Sequence, residues 1–254
     1  MGAASAAVRS ELAPWAGSLV MGTGIVAVAL ALAGFETLFR AFLGIAAAAW
    51  LAAAAVLGAA LVRRRALPGI RAARALTAVA GTCVLGSGVE LVGWSGLALA
   101  LWIAGAALWC GLGAGAAVGR PWPRGGLAFL PAVATQSVAV LGAALASPLD
   151  QDWMVVVALA LLGLGVGLYI AALARFDLSE LRSGGGETWI AGGALAISAL
   201  ACAEIVRAID AQGVMTGTAD GLSGLDLALW IAPVAKLDAA YMPTGNTVAQ
   251  RDGS

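Results

Sequence analysis

Residues 126–147 read GLAFLPAVATQSVAVLGAALAS, a run that is apolar enough and long enough to cross a lipid bilayer. The run carries Pro131 near its start and three consecutive polar side chains, Thr135, Gln136 and Ser137, at its middle. A proline inside a helix removes a backbone hydrogen bond and bends the helix, and polar groups in lipid need partners or water. The stretch therefore predicts a kinked membrane helix. Its polar centre either bonds to neighbouring helices or lines a wet cavity.

The composition of the whole chain indicates a polytopic membrane protein. Of the 254 residues, 61% are hydrophobic and 11% are charged, whereas soluble domains carry roughly 25% charged residues. Histidine is absent and the three cysteines stand far apart in sequence, so we expect no metal site and no cofactor. The sequence lacks Ser/His/Asp, Cys/His and Glu/His combinations and any basic run that would follow a phosphate backbone. It therefore predicts neither an enzyme nor a nucleic-acid-binding protein.

Apolar runs of about 20 residues, the length that crosses the hydrocarbon core, predict seven transmembrane helices and a shorter eighth. The predicted helices are 14–33, 42–62, 75–92, 95–118, 126–147, 153–174 and 189–209, with the eighth at 225–234. Residues 1–240 are expected to form a single transmembrane domain, followed by a disordered polar tail at 241–254.

The arginines predict the orientation in the membrane. They are concentrated in the connectors 63–74, 120–124 and 175–182, with Arg9 ahead of the first helix, whereas the opposite connectors are mainly acidic. Because positive residues stay in the cytoplasm, we expect a cytoplasmic N-terminus and helical hairpins that point outward. Heavy use of Ala, Gly and Arg indicates a bacterial origin, and hence the inner (plasma) membrane of a bacterium.

The odd-numbered helices are richer in hydroxyls and in mid-span glycines than the even-numbered ones. Small residues let helix backbones approach each other, and hydroxyls bond across helices. This pattern predicts an inner ring of odd helices around a central path, with Gln136 facing its cavity, and an outer ring of lipid-facing even helices. Tight packing around a dry core is the alternative. The candidate path residues are Gly22, Thr23, Gly24, Thr82, Ser87, Pro131, Thr135, Gln136, Ser137 and Ser198.

Charged groups near the predicted outer ends admit two interpretations each. Glu90 is either a proton-coupling carboxylate or an interface residue that reaches headgroups and water. Glu204 and Arg207 are three residues apart and share a helix face. They form either a site that attracts an anion or a pair that neutralises itself.

Three stretches on odd helices carry a family resemblance. They read VMGTGI at 20–25, LPAVATQS at 130–137, and WI with GALAIS at 189–190 and 193–198. In this order they resemble the tellurite-resistance/C4-dicarboxylate transporter family, which includes malic acid transporters and the plant slow anion channels. The resemblance covers roughly residues 10–235.

The resemblance implies ten helices in five hairpins, a pore lined by the odd helices, and association as trimers in the lipid bilayer. It also implies transport of a small anionic solute, most simply a C4-dicarboxylate, or anion-channel activity, with a link to tellurite resistance. The chain departs from the family after Pro233, where residues 236–254 read KLDAAYMPTGNTVAQRDGS, and the family's pore-occluding phenylalanine has no counterpart. The alternative function is therefore an inactive, C-terminally truncated fragment or a non-transporting membrane scaffold.

Overall fold

The computed structural model describes residues 3–62, 72–117, 125–176 and 187–213, together with Leu222 and Leu225. These ranges contain α-helices, one short 3-10 helix and no strand. The elements are α1 (Ala3–Leu32), α2 (Glu36–Val62), α3 (Ala72–Leu91), α4 (Ser95–Ala117), the 3-10 helix Gly125–Phe129, α5 (Leu130–Ala146), α6 (Asp152–Leu173) and α7 (Glu187–Gln212). The predicted all-α membrane fold is confirmed.

Five of the described spans are long and apolar enough to cross a membrane. They belong to α2, α4, α6 and α7 and to the continuous segment Gly125–Ala146, which joins the 3-10 helix to α5. α1 and α3 contribute the shorter apolar segments Gly17–Leu32 and Leu76–Leu91. Helices suit this environment because each one satisfies its own backbone hydrogen bonds where water is absent.

The largest differences between predicted and observed helix starts are at α1 and α2. α1 begins at Ala3 and not at residue 14, because the alanine-rich residues ahead of the proline favour the helical state. α2 begins at Glu36 and not at residue 42, because the chain reverses at Gly34, whose φ of 80° is readily adopted by glycine. The predicted eighth helix, apart from Leu225, and the predicted tail lie outside the described residues.

Pro131 does not kink the middle of a helix, and that prediction is wrong. The proline stands in the first turn of α5, directly after the 3-10 helix that ends at Phe129. The first amide groups of a helix have no intrahelical partner, so a proline there removes no hydrogen bond. The span therefore continues through the proline, from the 3-10 helix into α5.

The odd-numbered helices pack side by side in chain order. α1 contacts α3, α3 contacts α5, and α5 contacts α7, while α1 contacts neither α5 nor α7 within the described ranges. Each even helix packs against its hairpin partner, the odd helix that precedes it in the chain. It also packs against the odd helix that follows it: α2 against α3, α4 against α5, and α6 against α7. Over the same ranges no two even helices touch. Within the described ranges the odd helices form an arc with the even helices along its outer side, and this arc does not close into the predicted ring.

α5 lies at the centre of this arrangement. It contacts α3, α4, α6 and α7, and all of its residues except Pro131 and Ala144 are buried. The even helices instead expose large apolar side chains, including Leu51 on α2, Ile103 on α4 and Ile170 on α6. These are the surfaces that face lipid in a bilayer.

Candidate functional site

One apolar cluster contains residues of the odd helices, of the 3-10 helix and of α6, and we call it the inner cluster. Its buried members are Ala80, Ala128, Phe129, Val133, Ala172, Phe176 and Ala194, and Met21 of α1 packs against them. Neither α2 nor α4 contributes a residue, whereas α6 contributes Ala172, with Tyr169 and Leu173 packed against the cluster. The cluster therefore lies on the side of α3 and α5 that is turned away from α2 and α4, and α6 borders it next to α7. We call this side the inner face; Ala80 and Val133 mark it on α3 and α5, and Ala194 marks the face of α7 that meets the cluster.

Ser137 and Ser198 stand on this inner face. Each lies four residues, about one helical turn, beyond a residue of the inner cluster, Val133 on α5 and Ala194 on α7. Each hydroxyl donates to the carbonyl of that same residue, over 2.8 Å for Ser137 and 2.9 Å for Ser198. Both serines are buried, so the inner face carries hydroxyls directly beyond its apolar part.

Ser87 continues the inner face on α3. It lies seven residues, about two turns, beyond Ala80, is half-buried, and donates to the carbonyl of Cys83 over 3.2 Å. On the next turn Glu90 accepts a 3.0 Å bond at Oε1 from the Ser95 hydroxyl, while its Oε2 is buried without a partner among the described residues. The Glu90 carboxylate therefore bonds to the start of α4, and Ser87 is the residue that continues the inner face here.

Thr82 and Thr135 lie on the opposite side of their helices. Each stands two residues beyond an inner-cluster residue, Ala80 or Val133, which places it about 200° around the helix. The Thr82 hydroxyl donates to the carbonyl four residues earlier over 2.8 Å. It also accepts the indole N–H of Trp50, on α2, over 2.9 Å. This hydroxyl therefore ties α3 to the even helix behind it.

Thr135 makes the same two bonds on α5. Its hydroxyl donates to the carbonyl of Pro131 over 2.8 Å and accepts the indole N–H of Trp109, on α4, over 2.9 Å. A second indole of α4, that of Trp102, donates to the backbone carbonyl of Val138 over 3.0 Å. α5 is thus tied to α4 at two levels.

Gln136, predicted to face a central cavity, packs against α6 instead. Its side chain is fully buried, and its Nε2 donates to the carbonyl of Leu162 over 3.4 Å. A Cβ atom on Gly165 would lie 2.6 Å from that Nε2, so the absence of a side chain there makes room for the amide. Its Oε1 is buried and has no partner among the described residues. The amide therefore belongs to the α5–α6 interface.

The three candidates on α1 have different surroundings. Gly22 is exposed, and a Cβ there would meet nothing within 4 Å. Gly24 is buried against α3, where a Cβ would lie 2.7 Å from Cγ1 of Val84. Thr23 is half-buried and donates to the carbonyl of Leu19 over 2.7 Å. Of the three, Gly24 serves the contact between odd helices.

The tryptophans Trp50, Trp102 and Trp109 were missed by the sequence analysis. All three lie on even helices, which were interpreted as plain lipid-facing spans. An indole N–H inside a membrane needs a hydrogen-bond acceptor, and in each case that acceptor lies on an odd helix. A tryptophan far from the ends of a predicted span was the signal that could have revealed these bonds.

Charged and metal-binding groups are sparse. Arg207 donates to Oε2 of Glu204, which supports the interpretation of these residues as a pair that neutralises itself. The part of the chain that the structure describes holds no group of three or more His, Cys, Asp or Glu able to bind a metal.

Comparison with known proteins decides the family. The family model described as "SLAC1: Voltage-dependent anion channel" matches residues 12–243. The chain belongs to this voltage-dependent anion channel family. The resemblance seen in the three odd-helix motifs is thereby confirmed, and the family comprises channels and transporters. No curated protein and no solved structure matches the chain.

Proposed function

We propose that this chain moves small anions across the membrane along the inner face of its odd helices. The observation that carries the proposal is the sorting of hydroxyls on α3 and α5. Ser87 and Ser137 lie on the inner side, while Thr82 and Thr135 are occupied by indoles on the outer side. Membership of an anion-channel family supports the same function.

The serine hydroxyls supply the chemistry that an anion needs. Each donates to a carbonyl of its own helix, and exchanging one hydrogen bond for another changes the free energy by only about 1 kcal/mol. A serine can therefore turn from its carbonyl to an anion at little cost. Dipoles without a full positive charge bind weakly, and weak binding lets an anion leave as easily as it enters.

The inner cluster is the barrier on this path. Phe129 and Val133 are buried in the cluster, where the ring of Phe129 packs against those of Tyr169 and Phe176. A charged solute gains little compensation among such mainly apolar side chains. An anion that follows the inner face must therefore separate these side chains before it can pass.

The proposed orientation places the N-terminus in the cytoplasm of a bacterium, with the protein in its inner membrane. The arginine-rich connectors support it. At the opposite end Asp150, Asp152 and Asp210 are exposed, as is Trp153, a residue type common at membrane interfaces. A cysteine introduced at the exposed Gln151 should react with an impermeant thiol reagent in intact cells. Protection of that cysteine would contradict the orientation.

The resemblance of the three motifs makes C4-dicarboxylates the first substrates to test, with tellurite resistance as an associated phenotype and a homotrimer as the expected assembly. The experiment is anion efflux from liposomes that contain the purified chain, with chloride, nitrate and malate compared against empty liposomes. We expect flux of at least one anion.

The variant Ser137→Ala should lower that flux roughly five-fold, because it removes a donor worth about 1 kcal/mol. Cys110→Ala, on the exposed side of α4, is the matched control and should leave the flux unchanged. Absence of flux from the wild-type chain would contradict the proposal and favour a non-transporting scaffold.

A further inference from the structure

The same contact between an outer tryptophan and an inner threonine occurs twice. Each time it joins the outer helix of one hairpin to the inner helix of the next hairpin. Trp50 bonds to Thr82 and Trp109 bonds to Thr135, each over 2.9 Å. We propose that these two ties fix the rotation of α3 and α5 about their own axes and thereby aim Ser87 and Ser137 into the anion path. Trp50 and Trp109 are then positioning residues, and this inference rests on the proposed function.

The ties are directional, whereas most of the contacts around α3 and α5 are not. On α5 the bonds from Trp102 to the Val138 carbonyl and from Gln136 to the Leu162 carbonyl act together with the tie. α3 and α5 are enclosed mainly by alanine, valine and leucine side chains, and apolar contacts stabilise burial without fixing an angle. A hydrogen bond requires a donor–acceptor line within a narrow range of distance and angle. In lipid an indole that loses its acceptor finds no water to replace it. The hydroxyl at the centre of each tie therefore holds the helix at one rotation.

Each threonine is itself held in place by its helix. The Thr82 and Thr135 hydroxyls both donate to the carbonyl four residues earlier. The hydroxyl proton is thus committed to the backbone, and the oxygen accepts from the indole. A carbonyl, a hydroxyl and an indole thus form one chain of hydrogen bonds. This chain couples the backbone of an odd helix to a side chain of the outer helix that precedes it in the sequence.

The rotation matters because the serines lie on the far side of the helix. An atom at the rim of a helix is about 5 Å from its axis, so a turn of about 20° displaces it by about 2 Å. A displacement of that size breaks a hydrogen bond to a solute. Ser137 is two residues from Thr135 and Ser87 is five residues from Thr82. Loss of a tie is therefore transmitted to the serine through a rigid helix.

The two tied threonines share one position relative to the inner cluster. Thr82 and Thr135 each stand two residues beyond the residue that α3 or α5 sends to the cluster. Thr23 holds the same position on α1, where its hydroxyl bonds to carbonyls of its own helix. On α7 the equivalent position, two beyond Ala194, is Ala196, which has no hydroxyl to accept an indole. On α7, therefore, Ser198 lies on the inner face although this helix has no threonine at the position of the ties.

The experiment compares single and double variants of one tie in liposomes, with the ratio of nitrate flux to chloride flux as the readout. A loss of folded protein lowers both fluxes by the same factor and leaves the ratio unchanged, whereas a turned serine changes the ratio. We expect Trp109→Phe and Thr135→Val each to shift the ratio about three-fold. The free-energy change that corresponds to this shift is smaller than the contribution of one hydrogen bond. The double variant should shift it no further. Thr135→Ser keeps the hydroxyl and should retain the wild-type ratio.

The second tie and an unrelated tryptophan complete the design. Trp50→Phe and Thr82→Val should shift the ratio in the same non-additive way, which guards against a folding defect in one variant. Trp189→Phe is the control, because that side chain is 82% exposed near the start of α7. Unchanged ratios in all tie variants, or additive shifts, would overturn the positioning role alone. No flux from the wild-type chain would overturn the proposed function and this inference together.

Discussion

α2 and α5 have nearly equal mean hydropathy, yet they occupy opposite places in the bundle. Of the best membrane-spanning window, 11% is buried in α2 and 83% in the segment that contains α5. Hydropathy therefore reports that a segment enters the membrane and says nothing about which neighbours it meets. What differs is the polar content: α5 has Thr135, Gln136 and Ser137 at its centre, whereas α2 between Phe42 and Val62 carries only apolar residues, glycines and Trp50.

The largest expected difference comes from the same substitution made in the two helices. Leu141 on α5 is fully buried and Leu51 on α2 is 62% exposed. Leu141→Ala should destabilise the protein by about 2–5 kcal/mol, because it removes buried contacts and leaves a cavity. Leu51→Ala should change stability by less than about 0.5 kcal/mol. Reversible unfolding in mixed micelles measures both, and equal effects would contradict the central position of α5.

A glycine on α6 tests the contact between α5 and its outer neighbour. Gly165 faces Gln136, whereas a Cβ on Gly163 would meet nothing within 4 Å. Gly165→Leu should cost about 1–3 kcal/mol through overpacking. Gly163→Leu should be neutral or slightly stabilising, because leucine favours the helical state more than glycine does. The same unfolding assay separates them, and a tolerated Gly165→Leu would show that the two helices are loosely packed there.

The smallest effect is expected at Gln136 itself. Gln136→Leu removes one long hydrogen bond, to the Leu162 carbonyl, together with an amide oxygen that has no partner among the described residues. These two changes offset each other, so the free energy of unfolding should change by less than about 1 kcal/mol. Anion flux should stay close to the wild-type value, because the amide lies against α6. A strong loss of flux at unchanged stability would instead place Gln136 on the anion path.

The fold class and the inner position of the odd helices could be predicted from the sequence. The reason is that a membrane helix must place its polar and small residues against other helices, so Thr82, Gly86 and Ser137 mark inner helices without any coordinates. The ends of the helices could be predicted less well. The start of α2 at Glu36 depends on a chain reversal at Gly34, which hydropathy does not register.

The side of each helix on which a polar residue lies could not be predicted. Periodicity fixes the angles between Thr135, Gln136 and Ser137 relative to one another, at about 100° per residue, but not relative to the bundle. The three residues consequently go to three places: Thr135 to α4, Gln136 to α6 and Ser137 to the inner face. The contacts of α5 with its neighbouring helices set that rotation, and bonds such as the one from Trp109 connect residues that are not neighbours in the sequence.

The claim that the inner face carries an anion path is tested most directly by water access to two positions on one helix. Ser137 and Thr135 are two residues apart on α5, one on the inner side and one toward α4. Single cysteines would replace each of them in a chain whose Cys83, Cys110 and Cys202 are changed to alanine, and a small charged thiol reagent would be added to active liposomes. Only a thiolate in contact with water reacts. We expect Ser137→Cys to be modified with loss of flux, while Thr135→Cys is not modified. If neither cysteine reacts while anions still cross, the path lies elsewhere and the inside of the arc is a dry core.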